Sequence, residues 1–225
     1  MTPRHRSLPL ALAGLCLALP ALGGTIRGTI RVPGAASAPA PAMNAYPGRA
    51  GAMAGMRGPA RGRVTDAVVY VVKIPASAES ALARAPRSRP RLAQKDEAFM
   101  PRVVPVSAGT QVDFPNLDPI YHNVFSLSPT KRFDLGKYPR GQSKAVTLNR
   151  PGLVKVYCEI HSEMEAFVLV LPNRCFAQPG ADGGFELPEL PQGRYELRVW
   201  HPDLPEIVRA VDLSAGGGAR VELSF

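Results

Sequence analysis

Apolar and polar residues alternate with a period of two over much of the chain, the pattern of strands with one covered face. Residues 25–32 alternate in this way, and residues 66–72 form a run of β-branched and aromatic side chains. Further short runs follow at 102–106, 111–114, 121–127, 144–148, 153–157 and 166–171, each bounded by turn residues. Such regular spacing predicts a sandwich or barrel. Residues 167–171 are apolar at every position, which predicts a strand covered on both faces. Past Cys175 a turn-strand-turn-strand series occupies 180–187 and 190–199. One short helix is expected, from Ser77 to Arg84, and Pro86 and Pro90 stop it. The predicted fold class is all-β.

Three stretches break the pattern. Residues 1–23 read as a secretory signal peptide: Arg4, His5 and Arg6 precede an apolar run over 8–19, and Ala21, Leu22 and Gly23 make a small-residue cleavage site. The run is too short for a membrane span, and Leu15 before Cys16 is a poor fit to a lipoprotein site. A soluble, periplasmic mature chain with two cysteines, Cys158 and Cys175, is expected. Within the N-terminal segment 24–74, residues 33–63 contain Gly, Ala, Pro, Met and Arg and no acidic residue, which predicts a disordered insert. Met43, Met53 and Met56 in it are soft donors, but their irregular spacing, with no histidine beside them, reads as filler. Residues 75–96 are rich in Ala, Arg and Pro and are expected to be a linker.

The net charge of +9 changes little, because it is local. Lys and Arg outnumber Asp and Glu by 12 to 2 over residues 25–95, balance at 8 to 8 over 96–171, and fall behind at 5 to 8 over 172–225. A basic run can mark an anionic partner or a membrane surface, but over an insert and linker of this composition it reads rather as a solvated, self-repelling segment. Without aromatic interleaving or a recognition motif it does not point to nucleic acid.

The concentrated chemistry lies in Cys158-Glu159-Ile160-His161-Ser162-Glu163-Met164, read with His122. Val154, Val156 and Cys158 share one strand face, so Cys158, His161 and Met164 fall in the loop to the next strand. Two imidazoles, a thiolate and a weak thioether form the ligand field of an electron-transfer copper site. The alternative for two cysteines in an exported chain is a Cys158–Cys175 disulfide.

The segment Val112-Asp113-Phe114-Pro115-Asn116-Leu117-Asp118, followed by His122-Asn123-Val124 and a Pro151-Gly152 turn, resembles the cupredoxin family, in particular its plastocyanin and amicyanin branches. The Cys-x-x-His-x-x-Met loop is similar to the short amicyanin form. The resemblance implies a Greek-key β-sandwich over 97–172 holding one type 1 copper, Cu(I)/Cu(II), with His122, Cys158, His161 and Met164 as ligands. Ile160 departs from it, standing where many relatives have proline. The C-terminal pattern, Asp182-Gly183-Gly184-Phe185-Glu186-Leu187 and then Leu190-Pro191-Gln192-Gly193-Arg194-Tyr195, resembles carboxypeptidase regulatory-like domains. That implies a small transthyretin-like sandwich over 173–225, completed by strands at 24–32 and 66–73 and split by the cupredoxin insertion.

The function these resemblances imply is single-electron transport between periplasmic redox partners, with a c-type cytochrome or a quinoprotein dehydrogenase as partner. A copper-holding or copper-delivery protein would use the same ligands, and a structural module stabilised by copper is a third reading. An enzyme is disfavoured by counting: His5, His122, His161 and His201 are the only histidines, too few for a further catalytic copper. Glu159, Glu163 and Glu165 are expected to face solvent.

Overall fold

The computed structural model describes residues 23–33, 62–86, 89–214 and 216–225. The expected signal peptide and insert lie, but for their border residues, outside the described residues. The chain is all-β, with one helix of eight residues among those described. No described helix is long and apolar enough to cross a membrane.

Strand β1 (Ile26–Arg31) comes first. A single 3-10 turn, Val64–Asp66, then leads into β2 (Val68–Val71). Helix α1 (Ala76–Ala83) follows. Nine strands come next: β3 (Ala93–Lys95), β4 (Ala98–Met100), β5 (Val103–Ser107), β6 (Thr110–Pro115), β7 (His122–Ser128), β8 (Lys131–Tyr138), β9 (Ser143–Leu148), β10 (Gly152–Tyr157) and β11 (Glu165–Leu171). The last five are β12 (Phe176–Ala177), β13 (Gly184–Glu186), β14 (Gly193–His201), β15 (Leu204–Leu213) and β16 (Ala219–Ser224).

These strands form two sandwiches. In the larger, a sheet of order β5-β11-β10-β7-β8 faces the β6–β9 pair. The β3–β4 hairpin joins that pair through parallel bridges from Arg91 to Asp113 and from Gln94 to Asn116. Leu92, Phe99, Val112, Phe114 and Leu148 meet Val124, Val154, Val156, Val168 and Val170 in its core. Each such side chain removed from water contributes about 1.5–3 kcal/mol. In the smaller sandwich, β13-β1-β16 faces β12-β2-β14-β15. Its core is built on Ile26, Ile30, Val69, Val71, Cys175, Leu187, Leu190, Leu197, Val199 and Leu213.

Strand β11 explains the join. Ala166, Val168 and Val170 point into the larger core, while Phe167, Leu169 and Leu171 pack with Val68 and Val103 in a third cluster, bordered by Tyr70, Phe176 and Trp200. Its second apolar face is thus covered by the smaller sandwich. Arg102, 3% exposed, sits beside this seam and reaches Asp203 at 2.6 Å, Glu165 at 3.3 Å and Asp66 at 3.4 Å. Its guanidinium also lies 5.1 Å from the Phe167 ring centre.

Two expectations are corrected here. The stretch 75–96 is not a plain linker: Leu92 and Gln94 are fully buried, and the Leu92 N–H donates to the Asp113 carbonyl at 2.8 Å, so its end is part of the larger sandwich. Glu165 is only partly solvent-facing, 31% exposed, and reaches the buried Arg102 at 3.3 Å, because it opens β11, an interior strand of its sheet, beside that cation.

Candidate metal centre

His122 opens β7 and is paired across the sheet with Tyr138, the last residue of β8. Register slips just beyond: two residues of β8, Leu135 and Gly136, face the single Val124 between the Asn123–Lys137 and Phe125–Asp134 pairs. Gly136, at φ 65°, takes the left-handed conformation such a bulge needs. His122, Asn123 and Val124 are consequently all buried, which simple alternation would not allow.

The alternation of β10 continues past its end, so Val154, Val156 and Cys158 are buried together in the larger core. The loop from Cys158 to Met164 closes on itself. The Met164 N–H donates to the His161 carbonyl at 3.0 Å, and the Cys158 N–H donates to the Met164 carbonyl at 3.3 Å. The Glu159 N–H donates to Asn123 Oδ1 at 3.2 Å, and Asn123 Nδ2 donates to Asp134 Oδ1 at 2.7 Å, tying the loop to the His122 strand.

Three side chains converge. Cys158 Sγ lies 3.9 Å from Nδ1 of His122 and 3.9 Å from Nδ1 of His161, and the two nitrogens are 3.1 Å apart. The point equidistant from the three atoms is roughly 2 Å from each, the bond length of a transition ion held by imidazole and thiolate. Sulfur and two unsaturated nitrogens are soft-to-borderline donors, suited to copper. The residues present therefore fit the ion. Met164 is buried in the same core as Cys158.

Outside this triangle each imidazole has a carboxylate. His122 Nε2 is 2.7 Å from Asp118 Oδ2, both side chains being buried. His161 Nε2 is 3.7 Å from Glu97 Oε2. Burial alone would raise the Asp118 carboxyl, but the Glu97 N–H, the His122 ring and the Asp96 N–H together outweigh it and hold the group below the usual carboxylate range. Asn116 shapes the turn that presents it: Oδ1 accepts from the Asp118 N–H, while Nδ2 donates to the carbonyls of Ile120 and Tyr138, all at 2.9 Å. Tyr138, fully buried, donates its hydroxyl to the Phe114 carbonyl at 2.8 Å and accepts from Gln94 Nε2 at 2.7 Å. Burial pushes its phenol well above the ordinary value.

Cys158 and Cys175 are both free, so the disulfide alternative is overturned. They belong to the cores of different sandwiches. Burial pushes the Cys175 thiol up to about 12, which leaves it inert. His201 is committed elsewhere. Its Nδ1 accepts from the Asp203 N–H at 3.1 Å, and its Nε2 donates to the Arg63 carbonyl at 3.1 Å. Sequence reasoning named the three converging donors and missed Asp118 and Glu97. A carboxylate four residues before a histidine ligand was the available signal for the first, since such ligands commonly donate their second N–H to one. Nothing local marked Glu97.

No family model matches the chain, and no curated protein matches it. Solved structures do. A copper-containing nitrite reductase from Thermus scotoductus is similar at 22% identity over 38% of this chain, TM-score 0.36. The chain spans 23% of that enzyme's length. A purple cupredoxin from Nitrosopumilus maritimus is similar at 20% identity over 36% of this chain and 98% of its own, TM-score 0.33. An amicyanin variant in its Cu(I) form is similar at 16% identity over 47% of this chain and 98% of its own, TM-score 0.35.

Proposed function

We propose that this is an exported type 1 copper protein that carries single electrons between periplasmic redox partners. The reading rests on one observation, the triangle of Cys158 Sγ and the Nδ1 atoms of His122 and His161. Copper held there would supply a one-electron Cu(II)/Cu(I) couple, both states finding acceptable donors among thiolate, imidazole and the Met164 thioether. For the donor set to close, Cys158 gives up its thiol proton and both Nδ1 atoms present lone pairs. Strand ends and a hydrogen-bonded loop hold these side chains, which keeps the geometry constant between the two states.

The ligands differ in access. His122, Cys158 and Met164 are buried, whereas His161 is 22% exposed, so its ring edge is the contact through which an electron enters and leaves. The loop leading into His122 and the loop that carries His161 also bear exposed Leu117, Ile120, Tyr121 and Ile160. An apolar surface of this kind suits brief contact with a c-type cytochrome or a quinoprotein dehydrogenase. On this reading the C-terminal residues 173–225, with β1 and β2, are a carboxypeptidase regulatory-like sandwich of transthyretin type, and the cupredoxin segment 97–172 is inserted into it.

The test loads the mature protein with copper and records visible absorption and electron paramagnetic resonance, then sets a reduced cytochrome and a moderate Cu(I) chelator in competition. One copper per chain, intense thiolate-to-copper absorption and electron exchange faster than copper loss are expected. Cys158→Ser should remove the colour while leaving the thermal transition in place. Rapid copper loss to the chelator without cytochrome oxidation would replace the electron carrier with a copper store.

A further inference from the structure

Asp118 is tied at both ends. One oxygen, Oδ1, accepts from the Asp96 N–H at 2.6 Å; the other, Oδ2, accepts from the Glu97 N–H at 3.0 Å and lies 2.7 Å from His122 Nε2. Asp96 and Glu97 form the two-residue turn of the β3–β4 hairpin, and both have φ 54°, a left-handed conformation that non-glycine residues reach at a cost. That conformation turns two successive N–H groups toward one carboxylate, a small anion-binding concavity. The same turn places the Glu97 carboxylate 3.7 Å from His161 Nε2. One hairpin, remote in sequence from every proposed ligand, therefore stands behind both imidazoles.

A carboxylate accepting from Nε2–H leaves the Nδ1 lone pair free, and Nδ1 is the atom that faces Cys158 and His161. The carboxylate also makes the imidazole a stronger donor and adds a buried negative charge near the ion. Both effects favour Cu(II) over Cu(I). We propose that Asp118, seated on the Asp96–Glu97 turn, is the positioning residue of this centre: it fixes His122 with Nδ1 inward and lowers the reduction potential.

The inference rests on the copper reading above, so the experiment has one arm that needs no metal. In the metal-free protein, at a pH where the imidazole is neutral, nitrogen-15 NMR should show His122 protonated at Nε2 alone. In Asp118→Asn both tautomers should appear. With copper bound, Asp118→Asn should lower the ratio of Cu(II) to Cu(I) affinity by roughly tenfold to a hundredfold. For a one-electron couple each tenfold step raises the potential by about 59 mV. Asp113→Asn, which removes a carboxylate paired with Arg89 at 2.8 Å on the adjoining strand, is the control and should shift it far less. A native His122 protonated at Nδ1, or an Asp118→Asn potential no higher than that of the control, would overturn the inference. A native protein that takes up copper without colour would overturn the copper reading and leave the NMR result standing. If Asp118→Asn does not fold, the native tautomer alone decides.

Discussion

Arg102 is the most heavily committed single residue among those described, one cation facing Asp66, Glu165 and Asp203 at the seam. Its Nε has no partner among the described residues, so the fork to Asp203, at 2.6 and 2.9 Å, carries most of the compensation for burial. Removing one member of a buried ion pair leaves the others unpaired and costs about 3–5 kcal/mol. Arg102→Met should show that loss in urea denaturation near neutral pH. The acid side has a definite sign. Hydrogen bonding to Arg102 holds the Asp203 carboxyl below the usual range, so its contribution is present above that range and lost as pH falls through the lowered value. Burial raises Asp66, whose protonation on acidification favours the folded chain. In Arg102→Met both carboxyls become easier to protonate, so the gap between variant and native protein should narrow at about pH 4. A gap that widens there would mean that the carboxylates are held by something other than Arg102.

At the scale of single elements, legibility follows how local the cause is. Strands β10 and β11 could be placed from the chain because β10 alternates and β11 is apolar at every position after Glu165. Strand β8 was not anticipated: its outward positions carry Arg132, Asp134 and Lys137, its inward face opens on Lys131, and the bulge at Gly136 breaks the period that would have revealed it. Strand β3 was lost in the supposed linker because Pro90, Arg91 and Gln94 mask the buried Leu92, and the pairing of its stretch to β6 is non-local. The same reason hid part of the centre. Cys158, His161 and Met164 cluster in sequence, and Asp118 lies four residues before His122, whereas the Glu97 carboxylate depends on where a distant turn arrives. That turn carries strain, since Glu97 at φ 54° has a Cβ in a region costing roughly 1–2 kcal/mol for an L-residue. Glu97→Gly keeps the N–H that binds Asp118 and removes that cost, offset by the greater freedom of glycine in the unfolded chain. The expected result is a gain of up to about 1 kcal/mol in equilibrium unfolding, with the His122 tautomer unchanged. A loss of stability would show that the Glu97 side chain contributes more than its backbone costs.

Over the whole molecule, the smaller sandwich is built from the two ends of the chain with the larger one between them. Strand β1 runs antiparallel to β13 and parallel to β16, so it is the middle strand of its sheet. Strand β2 lies between β12 and β14 in the other. Without residues 23–33 and 62–73, β13 and β16 would have no partner in their sheet, and only the β14–β15 pair would keep its ladder. The core would lose Ile26, Ile30, Val69 and Val71 at once. A two-stranded ribbon with half a core is marginal in water. The seam adds to this dependence, because Val68 packs with Phe167, Leu169 and Leu171 of the larger sandwich. A fragment of residues 173–225 should therefore show no cooperative thermal transition by circular dichroism, and adding a fragment of residues 23–172 should restore one. If 173–225 alone unfolds cooperatively with the stability it has in the full chain, β1 and β2 are additions to a self-sufficient sandwich. The split arrangement would then be wrong as a description of how this protein holds together.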